Sequence, residues 1–555
     1  MSFLDQIFAR LESSADQTLL TELRESGPVP VTGRELLRMI AEARAFLASH
    51  GLKKGERCAL LAANGIRWIA MDLAIMAEGL IVVPLYSRQA PAELVAMMKD
   101  CSPSLICCGD QALRDSILQN WPAAPPQALF DEIFLPTASS VAKPEVQDSD
   151  VVAIIYTSGT SGEAKGVMLT AGNVGHILQC TSGQLDILMK NRPGQERHRQ
   201  DKVYQWAPLN FAAAWITTLS SLLRGSSVFM NTDLTKLAGE LRTVAPDYFV
   251  NVPALLERVR KAVDEQLWKT GGVVRTVYMN AKAAYMRKQE GRKKLSDSIW
   301  LALANSGVFP TIRKKMIGPN LKALICGSAP LSVETQLFFV MLGIPVLQVY
   351  GLTETTAICT LDDPHHVEPG RVGPAISGIE MKVAENNEIV VRGPNIFVGY
   401  WNRPDETAKV LRDGWFHTGD QGEVNAAGNW KIVGRIKNLI ILNSGHNIAP
   451  EPIEDEIVAQ LPAAQFAVVI GNGRSYLTLL VTGDVSDQQI QSALDAVNST
   501  LPHYKQIRAF HIVKEPFTIE DGLLTANGKL KRDLIAQRYQ PEIEEMYAVK
   551  QSSTA

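Results

Sequence analysis

Between Glu56 and Asp110 the chain alternates between two apolar patterns, and that alternation limits the fold more than any other feature. ERCALLAANG reads as a strand and turn, 67–79 as a helix, LIVVPLY as a strand, PAELVAMMKD as a helix and SLICCG as a strand. This βαβαβ order is the pattern of a parallel sheet covered by helices. VVAIIY (151–156) adds another strand. LKALICGS and PVLQVYG, within 322–351, add two more around a helix near 333–342. The stretch 254–318 is helical in pattern and rich in Arg and Lys. From about 376 the texture changes to short alternating strands with Gly, Asn and Pro turns. After Arg435 it changes again: a strand pair in LIILNSGHNI, a helix in PEPIEDEIVAQ, strands in AQFAVVIG and SYLTLLVT, then a helix, a strand and a loop.

At 555 residues the chain is too long for one core, given about 100–200 residues per domain. The expected class is α/β. Residues 1–434 form a large N-terminal body of several subdomains, with parallel β-sheets flanked by helices plus a β-rich part. Polar GRIKN marks a boundary at 435–438, beyond which 439–555 form a small α+β domain. A net charge of −3 gives no global pull toward nucleic acid. The seven cysteines are scattered without a C-x-x-C pair, which argues for a reducing compartment and against zinc ribbons or disulfides. MSFLDQIFARLESS lacks a basic leader region, and Phe3, Leu4, Ile7, Phe8 and Leu11 fit a short amphipathic helix. The longest apolar span, 68–86, carries Asp72 and Glu78 and reads as helix then buried strand. The expectation is a soluble, cytoplasmic protein.

Five stretches carry chemistry. YTSGTSGEAKG (156–166) crowds hydroxyls, glycines and Lys165 into one loop. Exposed N–H groups, O–H donors and an ammonium together suit an oxyanion. The spacing differs from the common P-loop, which needs G-x-x-x-x-G-K-[ST]. GSAPLS (327–332) follows a strand with small residues, leaving room for a flat group against backbone. VYGLTETT (349–356) offers Tyr350, Thr353 and Glu354 after another strand. GWFHTGD (414–420) ends in an acid suited to a sugar diol, and LLTANGKLKR (523–532) places Lys529 after a glycine. Together these are the parts required to hold ATP with magnesium while its α-phosphorus is attacked.

Taken in this order, YTSGTSGEAKG, GSAP, YGLTE, GWFHTGD, GRIKN and NGK resemble the adenylate-forming (AMP-binding) acyl-CoA synthetase superfamily over nearly the whole chain. Within it the chain is most similar to long-chain fatty acyl-CoA synthetases. VVPLY, the helical insert before LKALICGSAPLS, IAPEPIEDEI and EPFTIEDGLLTANGKLKR carry that likeness.

The resemblance implies that Thr157, Ser158, Gly159, Thr160, Ser161, Gly162 and Lys165 embrace the β- and γ-phosphates. It implies an adenine slot of Gly327, Ser328, Ala329, Pro330 and Tyr350, with Thr353 on the α-phosphate and Glu354 on Mg²⁺. Asp420, beside Arg435, would take the ribose hydroxyls. Lys529 would meet the charge growing at the α-phosphorus, Lys437 would sit in a hinge at 435–438 that makes the small C-terminal domain mobile, and Gly445 would border the CoA channel. Phe211 stands where the family usually carries His, which suits an apolar acyl chain but puts gating details in doubt.

The implied activity is two-step. A fatty acid is activated by ATP to acyl-AMP with release of pyrophosphate, and the acyl group then passes to CoA. Two rivals stand beside it: delivery to an acyl carrier protein, and a medium-chain or aromatic acid. A nucleotide- and acyl-binding protein without turnover is a third, opposed by intact Lys529, Glu354 and Asp420. His365 and His366 cannot share one face at helical or strand spacing and read as surface loop rather than metal ligands. The basic run KAAYMRKQEGRKK (282–294) admits a solvated helix face first, and contact with anionic lipid, hence a peripheral membrane, or with the CoA phosphates second. Oligomeric state stays open, with a homodimer as one option.

Overall fold

The computed structural model describes residues 1–136, 144–158, 164–190, 199–270, 272–318, 320–461, 463–525 and 528–548. They fall into two compact units. The first comprises Met1–Thr157, Ala164–Glu380 and Val391–Phe416, and the second is built on Met381–Val390 and the chain from His417 onward.

The first unit holds two large sheets. In one, Arg57–Ala62, Ile81–Tyr86 and Leu105–Cys108 pair in parallel, with the helices Ile66–Ala77 and Pro91–Cys101 as crossovers. The βαβαβ expectation is met. Seven strands complete this sheet, in the order Gly399–Tyr400, Ala164–Thr170, Val151–Ser158, Ile81–Tyr86, Arg57–Ala62, Leu105–Cys108, Gln127–Leu129. The strands at 57–62, 81–86 and 105–108 are buried on both faces, so their sequences run apolar without alternation.

The second sheet has eight strands. Six run parallel, in the order Val346–Tyr350, Ala323–Cys326, Tyr248–Asn251, Lys202–Gln205, Ser227–Asn231 and Thr18–Arg24. Antiparallel strands close both edges: Thr360–Leu361 beside Val346–Tyr350, and Gly27–Thr32 beside Thr18–Arg24. The sequence reading assigned no strands to 18–32. Pro28 and Pro30 fit there because Gly27–Thr32 is an edge strand, where missing donors face outward. The segment from Pro253 is helical as expected, with helices Pro253–Thr270, Gly272–Gln289, Asp297–Leu303 and Phe309–Met316, the last two joined by a π turn. Phe3–Ser13 is a helix capped reciprocally by Ser2 and Asp5, and it buries Phe3, Leu4, Ile7 and Leu11.

In the second unit the strands Ala464–Ile470, Leu477–Gly483 and Ile507–Val513 form a three-stranded sheet. Its period of two sorts the side chains. Leu477, Leu479 and Val481 face the helices Glu451–Gln460 and Asp487–Thr500 through Ile453, Ile457, Ile490 and Leu494. Val468 and Leu480 face the other way, toward Ile535 and Ile543 of the last two helices. No helix of the described residues is long and apolar enough to cross a membrane.

One buried charge site stands out in the first unit. Asp72, on the apolar helix Ile66–Ala77, is 1% exposed and accepts a hydrogen bond from Trp215 Nε1 at 3.0 Å. Its Oδ1 has no hydrogen-bond partner. Burial pushes this carboxyl up to about 7, although the Trp215 bond pulls the other way. A carboxyl raised in the folded state binds its proton there while the unfolded chain has released it. Stability from this group is therefore present at pH 4 and lost as pH rises toward 7. Asp72→Asn is expected to gain stability relative to the parent as pH rises from 5 to 8, by about 2–4 kcal/mol at the upper end. Urea unfolding at several pH values checks it, and parallel curves for the two proteins would refute an Asp72 origin.

Candidate active site

Two loops that the sequence singles out end neighbouring parallel strands. Gly327 follows Ala323–Cys326 and Gly351 follows Val346–Tyr350, with Cys326 opposite Gln348 in the ladder. Ligands of open α/β sheets bind beyond the carboxyl ends of strands, and these loops share that edge. Their backbones approach as only glycine allows. A Cβ on Gly327 would stand 2.5 Å from Val349 Cγ2, and one on Gly351 would stand 2.1 Å from the Ala357 carbonyl oxygen.

Ser328, Thr356 and Ala357 hold φ of +74°, +51° and +82°. Each such position costs on the order of 1–3 kcal/mol and persists where the surroundings enforce it. Here Thr356 Oγ1 donates to Asn395 O at 2.8 Å, and Asn395 Nδ2 donates back to Thr355 O at 3.2 Å. Gly327 is buried, whereas Ser328, Ala329 and Pro330 are exposed beyond it. Tyr350 is 9% exposed.

A second group gathers around Tyr400, which no sequence motif had singled out. Gly399–Tyr400 pairs antiparallel with Val167 and Met168, and Trp401 N donates to Gly166 O at 2.8 Å. This brings Tyr400 beside Lys165. Lys165 Nζ lies 5.2 Å from the centre of the Tyr400 ring and 2.6 Å from Glu406 Oε2. Tyr400 OH donates to Glu354 Oε1 at 2.8 Å, and Phe397 N donates to Glu354 O at 2.9 Å. Tyr400 thus joins the lysine of one motif to the carboxylate of another.

Hydrogen bonds from Lys165 first, and from Lys409, hold the partly exposed Glu406 carboxyl at about 2. Thr353 and Glu354 sit on a short 3-10 turn in which Leu352 N donates to Thr355 Oγ1. Thr157 is the last residue but one of its strand, with Oγ1 3.5 Å from Lys165 O, and the Ser158 backbone closes the strand. Gly159, Thr160, Ser161 and Gly162 lie outside the described residues. Phe211 precedes the helix Ala212–Arg224, its ring 5.9 Å from that of Tyr86.

The second unit holds the remaining candidates. Asp420 is 4% exposed and faces Arg435 across an antiparallel ladder, with Arg435 Nε 2.7 Å from its Oδ1. Lys437 lies on the 3-10 turn Ile436–Asn438, and Asn438 Nδ2 donates to Glu451 at 2.6 Å. Gly445, at φ +84°, turns the chain between Ile440–Ile441 and Asn447–Ile448. Lys529 is exposed at the end of a tight loop, where Thr525 N donates to Lys529 O at 2.8 Å. Three residues on, Arg532 Nη1 donates to the buried Glu454 Oε1 at 2.6 Å.

The chain matches the family described as AMP-binding enzyme over residues 9–401, and its C-terminal domain over 437–551. It belongs to the AMP-binding enzyme family. The long-chain-fatty-acid–CoA ligase FadD15 of Mycobacterium tuberculosis is 24% identical, with 98% of this chain and 96% of that one covered. A putative fatty-acid–CoA ligase of the same organism, fadD11, is 30% identical over 73% of this chain and 74% of its own length. The human long-chain-fatty-acid–CoA ligase ACSBG1 is 28% identical over 90% and 78%. Among solved structures, o-succinylbenzoate CoA synthetase from Bacillus subtilis with AMP has a TM-score of 0.73 at 20% identity, covering 95% and 97%. ATP-bound MatB from Rhodopseudomonas palustris has a TM-score of 0.73 at 24% identity, covering 97% and 99%. These two share the fold.

The Lys165–Glu406 pair generates a prediction. A phosphate that reaches Lys165 has to displace the Glu406 carboxylate. Glu406→Gln is expected to tighten MgATP binding by a few-fold at most, since solvent screens such a pair. Titration calorimetry measures it; unchanged or weaker binding would show that Glu406 steers Lys165 rather than competing for it.

Proposed function

We propose that this protein activates a long-chain fatty acid with ATP and passes the acyl group to CoA. The observation that carries the reading is the Lys165–Tyr400–Glu354 cluster in the same unit as the strained loops at Gly327 and Gly351. The long-chain-fatty-acid–CoA ligases that match nearly the whole chain support the substrate class.

In the first step a carboxylate oxygen attacks the α-phosphorus and the bond to the β-phosphate oxygen breaks, giving acyl-AMP and pyrophosphate. In the second the CoA sulfur attacks the acyl carbon, its proton is released and AMP departs. Lys165, with Thr157 to Gly162, holds the departing pyrophosphate. Gly327 to Pro330 and Tyr350 take the adenine, and Asp420 with Arg435 takes the ribose.

Among the described residues no three His, Cys, Asp or Glu side chains gather to hold a metal. Glu354, whose Oε1 accepts from Tyr400 OH, is the carboxylate that would hold a metal. That donor set fits Mg²⁺, which keeps waters and takes phosphate oxygens for its other positions. When bound, it neutralises phosphate charge. Thr353 faces the α-phosphate, Lys529 meets the charge that grows there, residues 435–438 with Lys437 form the hinge, and Gly445 borders the thiol's path. Neither step demands a catalytic His or Cys, because preorganised charge does most of the work.

Two measurements test this reading. Each methylene buried in an apolar channel contributes roughly 0.8 kcal/mol. The value of kcat/KM in acid-dependent ATP–pyrophosphate exchange should therefore climb steeply from butanoate to dodecanoate. A preference for acetate or benzoate would sink the long-chain assignment. Separately, Lys529→Ala should lose adenylate formation by about 10²–10³-fold yet still make thioester from supplied acyl-AMP and CoA near the parental rate. Equal loss in both assays would give Lys529 a structural role.

A further inference from the structure

Asp420 follows a residue that does not hold its own shape. Gly419 sits at φ +69°, and a Cβ built on it would meet nothing within 4 Å. The glycine is there for its backbone conformation and not for space. It also leaves the turn free to change, because glycine takes up left- and right-handed conformations about equally. A group outside 418–420 has to fix the turn that aims the Asp420 carboxylate.

Glu388 is that group. It begins the strand Glu388–Arg392, directly after Asn386 and Asn387, which hold φ of +57° and +58°. The strand is a neighbour of Trp415–Val424 in a five-stranded sheet. The two carboxylate oxygens of Glu388 divide between two partners. Oε1 accepts from Gly419 N at 3.0 Å, and Oε2 lies 2.7 Å from His417 Nδ1. Against a carboxylate oxygen, Nδ1 is the ring nitrogen that carries the proton. The side chains are 15% exposed at Glu388 and 21% at His417, so water has little access to either bond.

Further bonds close around the same residues. Thr418 Oγ1 donates to Ile389 O at 2.7 Å and accepts from Asp420 N at 3.0 Å. Gln421 Nε2 donates to Asn386 O at 2.6 Å. Strand ladders ordinarily satisfy an N–H with a backbone carbonyl. At Gly419 a side-chain carboxylate does so instead, and a histidine of the same motif orients it.

From this arrangement we infer that Glu388, oriented by His417, is a positioning residue for Asp420 and sets how strictly the site reads the ribose of its nucleotide. The inference rests on the ribose role proposed for Asp420. A carboxylate held still rejects a nucleotide that lacks the hydroxyl it pairs with, whereas one that swings distinguishes the two less well.

Titration calorimetry on the full chain, with MgATP and with its 2′-deoxy analogue, tests this. The ratio of the two Kd values is independent of the fraction of folded protein. The parent is expected to favour ATP by at least about tenfold, the scale of a hydrogen bond to a charged acceptor. Asp420→Ala should bring the ratio close to one. Glu388→Ala should lower it by about fivefold, while Glu388→Gln, which keeps an oxygen for Gly419 N, should stay within about twofold of the parent. His417→Ala leaves the carboxylate with one partner and should lower the ratio by about threefold; it serves where Glu388→Ala does not fold. If Glu388→Ala and His417→Ala weaken both nucleotides equally while Asp420→Ala lowers the ratio, the pair is only structural and the inference is overturned. A parental ratio in Asp420→Ala, or no preference in the parent, would remove the ribose assignment itself and the inference with it.

Discussion

The close approach of backbone at Gly327 and Gly351 is the constraint on which the site depends. A side chain at either position would collide with the neighbouring strand or its loop, at 2.5 Å and 2.1 Å. Because both are bare, two loops at the ends of adjacent parallel strands can share one surface. Ser328, Thr356 and Ala357 in these loops are left-handed, and Asn395 holds the second loop through Thr356 Oγ1, Thr355 O and Ile358 O. Strain held by neighbouring hydrogen bonds is how a fold keeps donors in place before a ligand arrives.

Electrostatics then joins residues far apart in the chain. Lys165 and Glu354 belong to motifs nearly two hundred positions apart, and Tyr400 lies between them with its ring toward one and its hydroxyl on the other. A change at Tyr400 would disturb both partners together, so substitutions at these three positions should not add independently. Glu406 supplies the ligand-free counter-charge for Lys165, which otherwise would stand over the ring without an anion.

Much of this could be read from the sequence, and the reasons are particular. The strands at 57–62, 81–86 and 105–108 were legible because runs such as IVVPLY are too short for buried helices and too apolar for exposed ones. The glycines of GSAP and YGLTE were legible because unusual backbone leaves its mark in residue type. Tyr400 and Glu406 were not, since a tyrosine after glycine and a glutamate in a helix look ordinary until a two-residue strand carries them to Lys165. YWNRPDET did hold a signal, two aromatics just before a proline that begins a helix, Pro404–Val410. The edge hairpin at 18–32 was obscured by Pro28 and Pro30, which speak against an inner strand and only permit an outer one.

The loop that carries Lys529 is fastened at its base. Leu523 and Leu524 are buried, Leu524 bridges to Leu530, and Arg532 grips Glu454, which itself accepts from Val469 N at 2.7 Å. The exposed lysine therefore stands just beyond residues packed against the sheet and helix of its own unit. Thr525 N donates to Lys529 O and Lys531 N to Leu523 O, so the backbone on either side of the lysine is tied to the buried base. If Lys529 carries the role proposed for it, the placement of its charge rests on this fastened loop as much as on the rotamer of its own side chain.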